Sequence, residues 1–326
     1  MNAVELKNLR KVFDLRIGSG FKREKREVVA VQGVDLSVPA GQSLALIGPN
    51  GAGKSTIIKM LTGILRPTSG DANVLGFCPW KERVKLSYTI GSVYGQRSQL
   101  WYHLAPKDSF DLLACIYDIP KNDYRIRLNE LVERLGISTF LDVPVRKLSL
   151  GQRIRAEIAA SLLHKPSLLF LDEPSIGLDV VVRQELRQLL RDWNRQEGLT
   201  VFLTSHDAGD IEAVSERVVV INHGQIVLDD SVDNVRKEYL SERVISVVFH
   251  NDVASLTSDG LKVLENSGKK HRYELDTRQL AMPDFVGRLL NSGEVADISI
   301  DDPPLEDVIA HIYSHEKGQD ITRNGR

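Results

Sequence analysis

The residues whose chemistry is clearest occupy positions 48–56, where their types and spacing could hold a phosphate chain. They fit the pattern G-x-x-x-x-G-K-[ST], with an apolar run at 44–47 before it and a helix-compatible run at 57–61 after it. Glycines let the backbone curl so that successive N–H groups point inward, and a lysine adds a full charge against the β- and γ-phosphates. These flanks favour a phosphate-binding loop over a Gly-rich turn that binds nothing. The candidate residues are Gly48, Asn50, Gly51, Ala52, Gly53, Lys54, Ser55 and Thr56.

Three strand ends carry polar residues that could serve such a ligand: Gln96, the pair Asp172 and Glu173, and His206. An open α/β sheet binds its ligands at the carboxyl ends of its strands. Asp172 could hold magnesium through water, and Glu173 could polarise a water against the γ-phosphate. Two acids directly after an apolar strand cost free energy unless a cation lies nearby, which favours this interpretation over a solvated strand end. Taken alone, His206 is more typical of a hydrogen-bonded histidine at a strand end.

The elements that must position these residues indicate an α/β domain. Continuous apolar runs at 168–171 and 200–204 are typical of buried parallel strands, and a helix ending at Gly198 is predicted between them. Apolar residues at helical spacing over 108–163, with Gly136 as a helix stop, indicate a helical insert. We therefore expect a parallel sheet with helices on both faces.

An outer antiparallel sheet is predicted from strands at 4–9 and 28–38. The segment 14–27 between them is polar and locally basic, which predicts an inserted loop or a short amphipathic segment. Such a segment is either simply solvated or in contact with anionic lipid head groups or an acidic partner.

Beyond about Leu240 the pattern changes to that of a small α+β unit. The domain boundary is placed between 240 and 241, with the helical insert of the first domain at about 97–165, and the polar tail from 314 is expected to fray. The predicted strands are 244–249, 261–264, 271–275 and 295–300, and the predicted helices are 278–290 and 305–313.

Length and composition are those of an ordinary globular protein. The net charge of −2 over 326 residues argues against wholesale binding to nucleic acid. The apolar runs are far shorter than the roughly twenty residues that span a bilayer, and the N-terminus lacks the features of a signal peptide. Cys78 and Cys115 cannot form a disulfide framework, so a reducing cytoplasm is the expected compartment.

The stretch 148–153, LSLGQR, begins a helical run, and read by itself Ser149 is an N-cap that forms a capping box with Gln152. Together with the preceding motifs, it makes the chain resemble the ATP-binding cassette (ABC) ATPase family over roughly residues 3–235. The motifs occur in the family's order: Walker A at 48–56, the Q-loop Gln96, the signature LSLGQ, Walker B at 168–172 with Glu173, the D-loop at 175–179 and the switch histidine His206. The resemblance implies a P-loop NTPase cassette, with a mixed sheet core, an antiparallel β subdomain and a helical insert.

The resemblance implies a site for ATP and Mg²⁺. Lys54 and the amides of 51–56 would cradle the phosphates, and Ser55, Gln96 and Asp172 would surround the magnesium. Glu173 would be the general base, and His206 would contact the γ-phosphate.

The signature of such cassettes works in trans. Ser149, Gly151 and Gln152, with Asp179 of the D-loop, would therefore close on nucleotide held by a second cassette. A chain with a single cassette implies a dimer, expected to be a homodimer.

Three positions depart from the family pattern or fit it loosely. Leu150 stands where the signature usually has its first glycine, so a side chain must be accommodated near the partner's nucleotide. Ser175 replaces the usual threonine after Asp-Glu-Pro. Phe13 is the candidate for stacking on adenine, with a buried core phenylalanine as the alternative.

Within the family, the chain resembles most the ATPase subunits of ABC-2-type exporters, because of its signature and of the motif PLEDV at 304–308. This implies integral membrane permease subunits as partners, export as the direction, and a cytoplasmic location at the inner face of the cell membrane. Trp101 and Tyr102, after the Q-loop, would suit a partner's coupling helix, with packing inside the insert as the alternative. The rival function is a soluble nucleotide-switch ATPase that is not coupled to transport.

Overall fold

The computed structural model describes residues 1–17, 24–95, 98–239 and 242–301. The chain divides into two compact units, one from Met1 to Asp230 and one that begins at Ser231. The helix Val232–Tyr239 belongs to the second unit, whereas the sequence placed it before the boundary at 240/241. Gln96 and the segments 304–308 and 305–313 lie outside the described residues.

Strands and helices alternate through most of the first unit, as predicted for an α/β domain. Two short 3₁₀ turns, Ser138–Phe140 and Val145–Lys147, lie within the helical insert. In chain order the elements are β1 Asn2–Ile17, β2 Glu24–Pro39, β3 Ser43–Ile47, α1 Lys54–Leu61, β4 Ser69–Val74, α2 Arg83–Ser87, β5 Ile90–Tyr94, α3 Pro106–Ile116, α4 Lys121–Leu135, α5 Leu150–Leu162, β6 Leu168–Asp172, α6 Val180–Glu197, β7 Thr200–Thr204, α7 Ala208–Val214, β8 Arg217–Asn222 and β9 Gln225–Ser231.

The central sheet has the strand order β5-β6-β7-β3-β8-β9. The adjacent strands β5, β6, β7, β3 and β8 all run parallel to one another. Side chains alternate along β6: Leu168 and Phe170 join the core formed with α1 and the outer sheet. Leu169 and Leu171 join the core formed with the insert helices and α6. Both faces of β6 are buried, which is why its sequence is a continuous apolar run.

The outer sheet has the order β2-β1-β4 and is antiparallel, as predicted. The prediction of a loop at 14–27 is wrong at both ends, because β1 and β2 continue there as a hairpin. Asp14 pairs with Glu27, and Ile17 pairs with Glu24. Antiparallel pairing needs only backbone N–H and C=O groups, so a polar stretch without apolar alternation can extend a hairpin. The centre of this segment, residues 18–23, lies outside the described residues.

The second unit is α+β, and its elements are α8 Val232–Tyr239, β10 Glu242–Phe249, β11 Leu261–Asn266, β12 Lys270–Asp276, α9 Met282–Ser292 and β13 Val295–Asp301. The strands pair antiparallel in the order β11-β12-β10-β13, and the core includes Tyr273 and Phe285. The helix predicted from 278 starts later, since the N–H of Leu280 bonds back to the Asp276 carbonyl in a turn and Ala281 is extended.

No helix among the described residues combines the length and the apolar character that crossing a membrane requires.

Candidate functional site

The phosphate-binding loop lies between β3 and α1, and its glycines are required by the backbone. Gly53 precedes α1 with φ +110°, and a Cβ there would lie 2.5 Å from the Ala30 carbonyl oxygen. Position 53 therefore requires a glycine for two independent reasons, its positive φ and the nearby carbonyl oxygen. The first turn of α1 has neither a side-chain cap nor an acidic residue. Its N–H groups and the positive end of the helix dipole are thus suited to an anion.

Lys54 is the cation of this loop and is almost fully buried. Its Nζ donates to the carbonyl oxygens of Gly48 at 2.6 Å and Pro49 at 3.3 Å, and lies 3.9 Å from Glu173 Oε1. Burial lowers the pKa of the Lys54 ammonium, and the charges of Glu173 and Asp172 oppose that shift. A polyanion beside Nζ would favour the charged form further, so the environment of Lys54 fits a phosphate chain.

Asp172 lies at the end of β6, beside the hydroxyl groups of two other elements. Ser55 Oγ on α1 donates to Asp172 Oδ1 at 3.1 Å, and Thr204 Oγ1 at the end of β7 donates to the same oxygen at 2.7 Å. A hydroxyl and a carboxylate side by side are oxygen ligands of the kind that Mg²⁺ takes next to a phosphate. The donor set therefore fits a magnesium ion, with Gln96 outside the described residues.

Glu173 has an unusual backbone conformation, with φ +55°. Non-glycine residues rarely adopt this left-handed region, and they do so where the surrounding structure holds them. The Glu173 N–H donates to both the carbonyl oxygen and Oγ1 of Thr204, at 3.0 and 3.1 Å. These bonds fix the direction in which the Glu173 side chain leaves the sheet.

His206 connects the two sides of the site. Its Nε2 lies 2.8 Å from Glu173 Oε1 and 3.1 Å from Lys54 Nζ. An ammonium only donates, so Nε2 accepts in the hydrogen bond with Lys54, and the Glu173 carboxylate lies beside the same nitrogen. The structure thus brings together Lys54, Ser55, Asp172, Glu173 and His206, as the sequence predicted.

The signature and the D-loop begin helices. Ser149 and Gln152 form the predicted capping box, in which the Gln152 N–H donates to Ser149 Oγ at 3.2 Å and the Ser149 N–H donates to Gln152 Oε1 at 2.9 Å. Asp179 Oδ1 accepts from the Val182 N–H at 2.9 Å and caps α6. In the described part of the chain, the hydrogen bonds of Lys54 and Asp172 involve neither segment.

Gly151 faces the start of α6. A Cβ on Gly151 would lie 3.2 Å from Val182 Cγ1, so a larger residue there would have to displace that side chain slightly. The Leu150 side chain packs on its own subunit, against the core that contains Leu178 of the D-loop.

Phe13 lies in the β1–β2 pair opposite Val28 and is only half-buried, which excludes the core alternative. Lys11 Nζ lies 5.2 Å from the centroid of its ring. Val28 is close in sequence to Ala30, whose carbonyl faces Gly53, so β2 leads from Phe13 towards the phosphate-binding loop.

Thr204 is the residue that sequence reasoning missed. Its hydroxyl simultaneously donates to Asp172 and accepts from the Glu173 N–H. A polar β-branched residue closing an apolar strand, directly before Ser205 and His206, was the available signal.

The sequence matches the family described as ABC transporter over residues 31–176. It is 31% identical to the methionine import ATP-binding protein MetN 3 of Pectobacterium atrosepticum, over 91% of this chain and 83% of that protein. The chain belongs to the ABC transporter ATP-binding protein family. The daunorubicin resistance ATP-binding protein DrrA3 of Streptomyces coeruleorubidus is 29% identical, over 91% of this chain and 95% of its own length. A dimeric ATP-binding cassette solved with ADP and Pi is similar with a TM-score of 0.62 and 25% identity, covering 70% of this chain and 98% of that one.

These matches confirm the cassette fold predicted from the motifs. The chain is an ATP-binding subunit of an ABC transporter, and its enzymatic activity is that of an ATPase.

Proposed function

We propose that this chain powers export through separate ABC-2-type membrane subunits. Two copies close on ATP and open after hydrolysis, and this motion drives the membrane subunits. The chain works in the cytoplasm, held at the inner face of the membrane by those partners.

The proposed roles of the site residues are those that the family resemblance implies, and the contacts described above support several of them. Lys54 and the first-turn amides of α1 bind the phosphates, with the other loop residues, Gly48 to Thr56, shaping the cradle. Ser55 and Asp172, with Gln96, hold Mg²⁺, which when bound neutralises charge on the phosphates. Phe13 stacks on the adenine.

Glu173 accepts the proton of the attacking water, because its carboxylate is the acid nearest to Lys54 Nζ among the described residues. His206 Nε2 lies 2.8 Å from that carboxylate and contacts the γ-phosphate. Thr204 fixes the positions of Asp172 and Glu173 relative to each other.

Closure brings the signature of one subunit to the nucleotide of the other. Ser149 and Asp179 are exposed at the starts of α5 and α6, where such a contact needs them. Ser149, Gly151 and Gln152 then bind the partner's ATP, and Asp179 lies beside them.

An apolar patch on the surface of the first unit carries the proposal of a membrane partner. Val84 and Tyr88 lie one turn apart at α2, Leu112 and Ile116 lie one turn apart on α3, and all four are exposed. The Tyr88 hydroxyl donates to the Ile116 carbonyl at 3.3 Å and joins the two elements. We call these four residues the α2–α3 patch.

Trp101 and Tyr102 precede α3 and are 40% and 58% exposed. This exposure favours a docking role for them over packing inside the insert. Exposed aromatic and aliphatic side chains of this kind suit an amphipathic helix of a partner.

The relatives that span both units have names that point to both directions of transport. One is a daunorubicin resistance protein, and resistance is what outward transport of a toxic compound would produce. Another is a methionine import protein. The signature and the motif at 304–308 favour export.

Purification of the tagged chain from native membranes tests the partner. We expect an integral membrane protein to co-purify and to be identified by mass spectrometry as an ABC-2-type permease. Recovery without any integral membrane protein would contradict the proposal and favour the soluble nucleotide-switch ATPase.

Two matched variants localise the contact. Ile116→Asp should abolish co-purification, because it places a charge in the α2–α3 patch. Ile126→Asp is the control, since Ile126 is 63% exposed on α4 of the same insert but outside the patch. Both should retain the ATPase activity of the isolated chain.

A further inference from the structure

Leu150 makes a contact that a glycine at the same signature position could not make. A Cβ added to Gly177 of the D-loop would lie 2.8 Å from Leu150 Cδ2. The leucine side chain therefore lies directly over the D-loop backbone of its own subunit. Gly177 has φ +76°, a backbone conformation that favours glycine, and a Cβ at this position would displace the end of the Leu150 side chain.

The D-loop is in turn hydrogen-bonded to α7 at its first residue. Ser175 Oγ donates to Asp210 Oδ2, and Ser205 Oγ donates to the same oxygen at 2.8 Å. Ser175, Ser205 and Asp210 are all buried. A buried carboxylate that accepts from two hydroxyls holds these elements in one arrangement.

Two arginines of α6 extend the connection to the residue that follows His206. Arg187 donates to Asp210 Oδ1 at 2.7 Å and to Asp207 Oδ1 at 2.8 Å. Arg183 donates to Asp207 and, at 3.2 Å, to the Leu178 carbonyl of the D-loop.

Asp207 fixes the backbone around His206. Its N–H donates to Ser205 Oγ at 3.0 Å, and its side chain caps α7. A displacement of the D-loop that kept these bonds would therefore also displace His206, whose Nε2 lies 2.8 Å from Glu173 Oε1.

We propose that Leu150 is a positioning residue that couples the two ATP sites of the dimer. The inference rests on the proposed function, in which the signature acts on the partner's ATP while His206 acts on the ATP of its own subunit. Leu150 transmits the position of the signature to the D-loop, and the bonds of Ser175, Asp210 and Asp207 transmit it to His206. Occupation of one site thereby favours the hydrolysis-competent arrangement of the other.

The test compares Leu150→Ala with Leu150→Met in the full-length chain. Both residues favour helix, so the start of α5 is preserved, but only methionine reaches Gly177. Steady-state ATPase activity is measured against ATP concentration, at several protein concentrations, so that dimerisation does not set the Hill coefficient.

We expect a wild-type Hill coefficient above 1, and the number of sites in the dimer, two, is its upper limit. Leu150→Ala should lower the Hill coefficient to about 1, with kcat reduced by no more than about tenfold. Leu150→Met should keep the wild-type Hill coefficient. If Leu150 only packs in the core, Leu150→Ala would change thermal stability and leave the Hill coefficient unchanged.

A double-mutant cycle with Ser175→Ala tests the route. Ser175→Ala should also lower the Hill coefficient, and adding Leu150→Ala should lower kcat no further, because both changes interrupt one path. Additive losses of kcat would overturn the route through Ser175.

The outcomes separate this inference from the proposed function. If the wild type dimerises with ATP but shows a Hill coefficient of 1, or one that Leu150→Ala does not change, the coupling role of Leu150 is wrong and the proposed function stands. If the wild type forms no ATP-dependent dimer, the proposed function itself is wrong.

Discussion

His206 Nε2 lies 2.8 Å from Glu173 Oε1. The backbone of Glu173 is held in a left-handed conformation by Thr204, which restricts the direction of its side chain. In the proposed role of general base, a carboxylate held in this way needs little rearrangement before it accepts a proton.

The first prediction concerns Glu173→Gln. The amide has nearly the same shape as the carboxylate but cannot take a proton, so the position of the side chain is kept and the proposed base is lost. We expect ATP binding to be retained, hydrolysis to fall by about 10²- to 10⁴-fold, and an ATP-bound dimer to accumulate. Steady-state turnover and light scattering measure both effects. Glu133→Gln, exposed on α4, is the control, and wild-type turnover in Glu173→Gln would show that the general-base assignment is wrong.

The second prediction concerns Thr204→Val, which keeps the shape and removes the hydroxyl. Asp172 loses a donor and the Glu173 N–H loses one of its two acceptors, so we expect a loss of about 1–3 kcal/mol in unfolding free energy. Since both acids are then less well positioned, kcat should fall by about 10- to 100-fold.

Thr200→Val at the other end of β7 is the matched control for that change. Thr200 is also buried, and its Oγ1 accepts from the Gly41 N–H at 2.9 Å. It should show a similar loss of stability with unchanged kcat. Equal kcat in the two variants would mean that Thr204 has only a structural role.

The third prediction concerns removal of the second unit. Every described residue assigned to the ATP site lies before Asp230, so chains ending at 230 or at 240 should bind ATP with wild-type affinity. Circular dichroism verifies folding, and titration with a fluorescent ATP analogue measures affinity. Loss of binding in a truncated chain that folds would show that the second unit contributes to the site.

The fourth prediction concerns pH and His164. Burial lowers the pKa of His164, the proximity of Arg127 lowers it further, and the hydrogen bond from Nε2 to the Ile90 carbonyl opposes both. The unfolded chain therefore binds a proton at a pH where the folded chain resists it. The unfolding free energy should decrease as pH falls below about 6.5, by no more than about 1.4 kcal/mol per pH unit.

His164→Gln should reduce that pH dependence. The variant also loses stacking on Tyr117, which lowers stability by an amount that does not depend on pH. Urea unfolding between pH 5 and 8 separates the slope from the offset. An unchanged slope would show that another group is responsible.

The phosphate-binding loop and the parallel strands were predictable because each imposes a strict local pattern. Gly53 must be glycine for its φ, and β6 must be apolar throughout because both of its faces are covered. Patterns of that kind depend on few contacts, so they can be recognised from the sequence alone.

Other features depend on contacts between distant parts of the chain. The extension of β1 and β2 uses backbone pairing, which leaves little trace in side-chain types. The role of Thr204 depends on the meeting of β6 and β7, and the direction of the Leu150 side chain depends on the D-loop. None of these follows from periodicity or motif spacing.

The central claim is that each ATP site is shared between two subunits. Mixing a Lys54→Ala chain with a Ser149→Arg chain tests it most directly. Each variant must first be shown to fold, because loss of the Ser149 cap costs about 1 kcal/mol. Neither chain alone should hydrolyse ATP, but a mixed dimer has one site with an intact Lys54 and an intact Ser149. A 1:1 mixture should therefore recover up to about a quarter of the wild-type activity. Activity in the Ser149→Arg chain alone, or none in the mixture although mixed dimers form, would contradict the claim.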